Sequence, residues 1–283
     1  MFSCFNGPYI CNRKRYLMKP LITFFGLAYA ISWIIWLPLY GHIWGIHDLP
    51  VLPYHHALGG LGPLLASLLT TWIFLKNDGV KDLAKRIFQT RPVDYLGIAL
   101  ISPFALALLA VVINVLGSGK TVGMQAWFAS REFPEFDFPV FFLYNLLFFG
   151  LGEEAGWRGF ALPRFQKNMS ALWASVVLTF FWAIWHWPLF FYRPGYTGMD
   201  MAGIIGWFLS LLTGSVLLTW LYNSSRGSIF ICAVFHATID IAFTADYADQ
   251  HIVNYMGMLI TLWGIATIFV FKPRHLSAER IIR

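Results

Sequence analysis

Charged side chains are scarce in this sequence. They make up 12% of its 283 residues, against about 25% in ordinary soluble domains. With 58% hydrophobic and 18% aromatic residues and a mean hydropathy of +0.62, that shortage excludes a soluble globular protein and indicates an integral membrane protein. Cysteine is also rare. Cys4, Cys11 and Cys232 have neither metal-ligand spacing nor the pattern of a disulfide framework, and Cys232, inside an apolar run, reads as a small buried side chain. No Lys/Arg stripe interleaved with aromatics is present, so the net charge of +6 speaks of topology and not of nucleic acid. Missing too are a His-Glu-x-x-His helix and a Gly-x-Ser-x-Gly elbow. Ser175 and Ser210 show no pairing with a base, which argues against a serine nucleophile.

Long apolar runs are what the sequence does have. A membrane-spanning helix needs about 20 residues, and eight runs qualify: 21–41, 57–75, 95–117, 138–160, 171–192, 201–222, 228–245 and 252–271. The expected fold is therefore an all-α integral membrane protein of about eight transmembrane helices. The first run follows Arg13, Lys14, Arg15 and Lys19 but lacks a small-residue cleavage site, so it reads as a membrane helix and not as a cleaved signal. Residues 76–94 carry Val80, Leu83, Ile87 and Phe88 among charges, the spacing of a short amphipathic interfacial helix. Residues 118–137 form a polar loop ending in Glu132-Phe133-Pro134-Glu135-Phe136-Asp137. With the N-terminus inside, sixteen Lys and Arg fall in inside segments and only Lys120, Arg131 and Arg193 in outside loops. The positive-inside rule then places both termini in the cytoplasm. The expected layout is a cytoplasmic segment 1–20, a polytopic membrane domain 21–272 with its chemistry in 138–245, and a cytoplasmic tail 273–283.

The ionisable residues within these runs are few and segregated. Run four holds Glu153, Glu154 and Arg158, run five His186, and run seven His236 and Asp240; the other five hold none. A charged group at a bilayer centre costs roughly 2.5–3.5 kcal/mol on insertion scales, so such residues mark function by default, and these three helices are expected to enclose a polar pocket. Glu154 and Arg158, four apart, share a helix face and suit a structural ion pair. Glu153 lies about 100° round the helix from Glu154 and needs a partner from another helix or from water. His236 and Asp240 are also four apart, which lets a carboxylate orient an imidazole. His186 sits in an aromatic stretch, Trp182 to Trp187, ended by Pro188. A glutamate with two histidines can ligate zinc, as Glu153, His186 and His236. Without metal, the glutamate can serve as a general base for water while the other groups stabilise an oxyanion. Buried carboxylates and histidines also suit a transporter or proton relay, although no pair of broken helices repeats between the halves. A non-catalytic immunity or scaffold protein with a vestigial pocket is the remaining alternative.

These residues resemble a known family. Glu153-Glu154-x-x-x-Arg158 is similar to the first motif of the CAAX-protease and bacteriocin-processing (CPBP, or Abi) family of membrane endopeptidases. Trp182…His186, followed by Trp187-Pro188, resembles its second motif, and His236…Asp240 its last. The similarity spans about residues 138–245, and the set is far more specific than any one motif. It implies a glutamate-type intramembrane endopeptidase of the bacterial or archaeal cell membrane acting on a peptide or membrane-protein substrate. It also implies that Glu153 and His186 activate water, that His236 with Asp240 holds the oxyanion, and that Glu154 and Arg158 shape the site. No cofactor is implied, with zinc as the alternative.

Two positions depart from the family pattern. Trp182 stands where Phe is usual, read as a packing change. Asp240 stands where the prenyl-protein proteases have Asn. An ionised Asp accepts hydrogen bonds and donates none, so Asp240 either carries a proton or orients His236 without touching the oxyanion, the reading preferred here. Depth is a further question, because His186 lies about seven residues, near 10 Å, deeper in its run than Glu153 in its own. A tilted fifth helix, or one starting near residue 176, would remove the mismatch.

Overall fold

The computed structural model describes residues 8–278, with side chains from Met18 onward. Cys4, Arg280 and Arg283 lie outside the described residues, as do the outer ends of the expected N-terminal segment and tail and the side chains of Cys11, Arg13, Lys14 and Arg15. Among the described residues the regular structure is helical, and the one β contact is an isolated bridge between Ser130 and Ala245.

Every expected apolar run is helical. They correspond to α1 (Pro8–Tyr40), α2 (His55–Gly60) with α3 (Gly62–Ile87), α4 (Val93–Ser118), a broken rod α5 (Phe138–Tyr144) to α6 (Gly152–Gly156) to α7 (Leu162–Phe165), α8 (Ala171–Trp185), α9 (Met201–Ser224), α10 (Ile229–Thr244) and α11 (Gln250–Phe271). Among the described residues five stretches are long and apolar enough to cross a bilayer: Met18–Trp44, His55–Ile87, Val93–Ser118, Met201–Ser224 and Gln250–Phe271; α8 and α10 are shorter apolar helices. Five starts are capped by a side-chain oxygen that accepts from the third helical N–H: Asp137, Ser170, Asp200, Ser228 and Asp249. Each cap satisfies a backbone donor that would otherwise be orphaned, and is typically worth about 1 kcal/mol.

The expected amphipathic helix within 76–94 is a continuation of α3 past a kink at Lys76, whose backbone leaves helical geometry with φ +56°. Its apolar Leu83 is buried at 1% exposure. The connections gather at two ends. At one, Gln89 Nε2 donates to the Ser225 carbonyl, Arg86 Nη1 to the Gly159 carbonyl, and the Ala171 and Leu172 amides to the carbonyls of Arg274 and Pro273. At the other, Arg193 pairs with Glu132, Tyr54 Oη donates to Glu135, and the Asp246 amide donates to the Ala129 carbonyl. The basic-rich connections thus share one end and the acidic loop lies at the other.

The broken rod sits at the centre, packed between α3 and α10, while α9 holds α8 on one side and α11 on the other. Two glycines make that approach possible. A Cβ on Gly150 would lie 2.4 Å from the Ala233 carbonyl oxygen of α10, and one on Gly156 would lie 2.7 Å from the Pro63 carbonyl oxygen of α3. A side chain at Gly150 would push α10, with His236 and Asp240, away from the rod, and one at Gly156 would push the rod away from α3.

Candidate active site

The charged stretch belongs to a helix that changes its winding twice. π-helical turns at Asn145–Leu151 and Trp157–Ala161 flank the α-helical Gly152–Gly156. Such turns are rare and recur at functional sites, because an inserted residue redirects the side chains that follow. Here they bracket Glu153 and Glu154, both buried, at 3% and 0% exposure.

Glu153 is held by two indoles. Its Oε2 accepts from Trp182 Nε1 of α8 at 2.7 Å and from Trp157 Nε1, four residues along its own helix, at 3.2 Å. Its partner from another helix is thus a tryptophan, at a position read from sequence as packing. Trp182 does more than that. Its ring lies under the Arg158 guanidinium, 4.5 Å from Cζ to the ring centre, and 5.7 Å edge-to-face from the His236 ring. Its backbone carbonyl is 2.8 Å from His186 Nδ1. A carbonyl can only accept, so Nδ1 carries a proton, and in the neutral form of the ring the lone pair lies on Nε2.

Glu154 and Arg158 form the expected ion pair, Nη1 to Oε1 at 2.9 Å with both side chains fully buried. Arg158 Nη2 also donates to Ser215 Oγ at 3.3 Å. The same Glu154 oxygen lies 2.7 Å from His236 Nδ1. His236 is therefore gripped between two carboxylates, Glu154 at Nδ1 and Asp240 Oδ2 at 3.5 Å from Nε2. Glu154 makes the shorter contact, a pairing across 82 positions of sequence. The Asp240 side chain is 33% exposed while that of His236 is 7% exposed, so the constellation reaches the protein surface at Asp240.

All six residues singled out by sequence thus gather where the broken rod, α8 and α10 meet, though no direct hydrogen bond joins Glu153 to His186. Trp182 lies between them, with its indole on one and its carbonyl on the other. The fifth run does not start near residue 176 as one expectation had it: α8 starts at Ala171, and it is Trp182, not His186, that reaches Glu153. His186 caps the end of α8, one turn or about 6 Å further on, where Trp185, Tyr196 and Trp207 surround its ring at 4.9, 6.3 and 5.8 Å.

Two comparisons bear on this geometry. Residues 135–242 match the family described as Type II CAAX prenyl endopeptidase Rce1-like, a stretch that contains the whole constellation. A protein of the archaeon Methanococcus maripaludis named CAAX prenyl protease 2 is 26% identical over 240 residues, covering 82% of this chain and 84% of the relative. Over the stretch that carries the constellation the chain is similar to the CAAX-protease family. It is a membrane-embedded endopeptidase, and the transporter and scaffold readings give way to that.

The residues named as zinc ligands do not form a ligand set as they stand. Glu153 gives one oxygen to two indoles, His236 faces Glu154 and Asp240, and His186 Nδ1 is turned to its own helix. Among the described residues no three His, Cys, Asp or Glu side chains are placed to hold a metal ion. Sequence reasoning missed Trp157 and Trp182 as donors, and Tyr196 and Trp207 as the wall around His186. Trp157 carried a usable signal, since it stands four residues after Glu153 on the same face. The pairing of Glu154 with His236 carried none.

Proposed function

We propose that this endopeptidase cleaves its substrate by glutamate-activated water without a metal, Glu153 acting as the general base. The reading rests on one observation above all: the two indole donors fix Glu153 by Oε2 alone, leaving Oε1 to accept from a water. His186, with its lone pair on Nε2, takes the second hydrogen bond from that water. As the water oxygen adds to the peptide carbonyl carbon, its proton passes to Glu153. Carboxylates at both nitrogens of His236 match a ring with a donor at each, and Nε2–H stabilises the negative charge that develops on the carbonyl oxygen. Asp240 and Glu154 orient that ring, and Arg158 balances Glu154. Collapse of the tetrahedral intermediate breaks the C–N bond, and the proton on Glu153 leaves with the amine.

The membrane setting and the relative's name favour a membrane-tethered substrate, and a prenylated C-terminal CAAX tail is the first to test. A bacteriocin-leader type of substrate is the second. The cytoplasmic placement of both termini rests on the basic residues gathered at one end. The test presents the purified protein with a farnesylated CAAX peptide, its unprenylated counterpart and a leader-type peptide, and locates the cut by mass spectrometry. Cleavage of the farnesylated peptide alone supports the first substrate class, cleavage of the leader peptide alone supports the second, and cleavage of none contradicts both.

A further inference from the structure

A cavity lies away from the catalytic constellation, at the basic end of the molecule. It measures about 290 Å³ and opens between the post-kink part of α3, the second π-helical turn with α7, and the end of α9. That is near the lower end of the roughly 300–1,000 Å³ of small-molecule sites. Three cations line it, Arg86, Arg164 and Lys167, with a single carboxylate, Asp82. Asp82 is engaged by Arg86 through Nε and Nη2, each at 2.9 Å, and Arg86 Nη1 is bound to the Gly159 carbonyl and Tyr222 Oη. Among the described residues Arg164 has no carboxylate partner. One of its nitrogens donates to the Phe160 carbonyl at 2.7 Å and its plane lies over the Phe160 ring, which leaves further N–H donors facing the cavity. Burial, and then the Arg86 guanidinium beside it, pull Arg164 down to about 10 from its ordinary value. Both effects mark a positive charge in want of an anion.

The cavity's apolar side identifies the kind of anion. Leu75 lines it and is 51% exposed, and Trp72, one turn earlier on α3, is 55% exposed. These belong to the apolar stretch of α3 that ends at the Lys76 kink, where a hydrocarbon chain would lie directly below the cations. Basic pockets between membrane helices on the cytoplasmic side recognise anionic headgroups.

We propose that this cavity binds the phosphate of an anionic phospholipid, with Arg164 and Lys167 as its ligands and Leu75 and Trp72 along the acyl chain. The shared chemistry is a phosphate anion, and the experiment separates a lipid from a free ion. Purified full-length protein in neutral detergent is titrated with phosphatidylglycerol, phosphatidylcholine or inorganic phosphate. Bound lipid is counted by native mass spectrometry, and Tm is followed alongside. Phosphatidylglycerol is expected to bind and raise Tm where phosphatidylcholine does not. One basic residue beside an anionic lipid is worth roughly a fivefold change in binding. Lys167→Gln should therefore lose about fivefold and Arg164→Gln/Lys167→Gln about thirtyfold. Lys167 is exposed, so the single variant keeps the test valid if the double variant folds poorly. Undiminished phosphatidylglycerol binding in Lys167→Gln, or an equal gain from phosphatidylcholine, would overturn the site. An equal gain from inorganic phosphate would overturn the lipid assignment.

Discussion

Replacing Trp182 by Phe removes one hydrogen bond from the centre of the site, along with part of a buried ring. The phenyl ring keeps a face for the Arg158 guanidinium, 4.5 Å away, and an edge near His236. What disappears is the Nε1–H donated to Glu153 Oε2 at 2.7 Å. A hydrogen bond to a charged group is worth about 1.5–3 kcal/mol, which at about 1.4 kcal/mol per tenfold corresponds to a rate loss of roughly 10- to 150-fold. Trp157 Nε1 still holds the same oxygen at 3.2 Å, so the lower part of that range is expected. Because the lost donor faces the glutamate and not the substrate, kcat should fall while KM stays near its wild-type value. Trp157→Phe, which removes the longer bond, should cost less, and the double variant should lose more than the product of the single losses once no donor remains. The assay is steady-state cleavage of a membrane-tethered fluorogenic peptide, normalised to folded protein by Tm. An unchanged kcat in Trp182→Phe would refute the idea that the indole positions the water-activating carboxylate.

Other perturbations follow from the same geometry. Arg158→Leu leaves Glu154, buried at 0% exposure, with only His236 as a partner, and should destabilise the fold by about 3 kcal/mol, the lower end for a broken buried pair, read as a fall in Tm in detergent. Gly150→Ala drives a Cβ to 2.4 Å from the Ala233 carbonyl oxygen, an overpacking cost of about 1–3 kcal/mol. It should also lower activity by moving α10, and His236 with it, away from Glu154. Gly214→Ala, which meets open space, is its control and should leave both activity and Tm in place. Treatment with a chelator should leave turnover unchanged, while stoichiometric zinc that is lost in His186→Ala would contradict the metal-free route.

Much of the site was legible because charge in an apolar run is so conspicuous. Glu153, Glu154, Arg158, His186, His236 and Asp240 stood out against five charge-free runs, and two of their relations, Glu154 to Arg158 and His236 to Asp240, follow from four-residue spacing on a helix. Relations between helices were hidden. Nothing in local spacing tells that Glu154 takes His236 Nδ1, since that contact depends on how closely Gly150 lets α10 approach. Trp182 was legible only as bulk, because an indole reads as an apolar residue until an acceptor is placed beside its N–H. The π-helical turns leave no periodic signature that separates Asn145–Leu151 from an ordinary apolar helix. The separate amphipathic helix past residue 76 was legible from Val80, Leu83, Ile87 and Phe88 among charges, although the break itself falls at Lys76 with no proline or glycine to announce it.

The most direct measurement is cleavage of a membrane-tethered peptide by the wild type and by Glu153→Gln, prepared identically in detergent. Gln has nearly the shape of Glu and keeps an oxygen for the two indoles, but it cannot take a proton from water. Wild-type cleavage with none above background in a stably folded Glu153→Gln is the predicted result. Cleavage by Glu153→Gln at the wild-type rate would place the chemistry on another group and contradict the account.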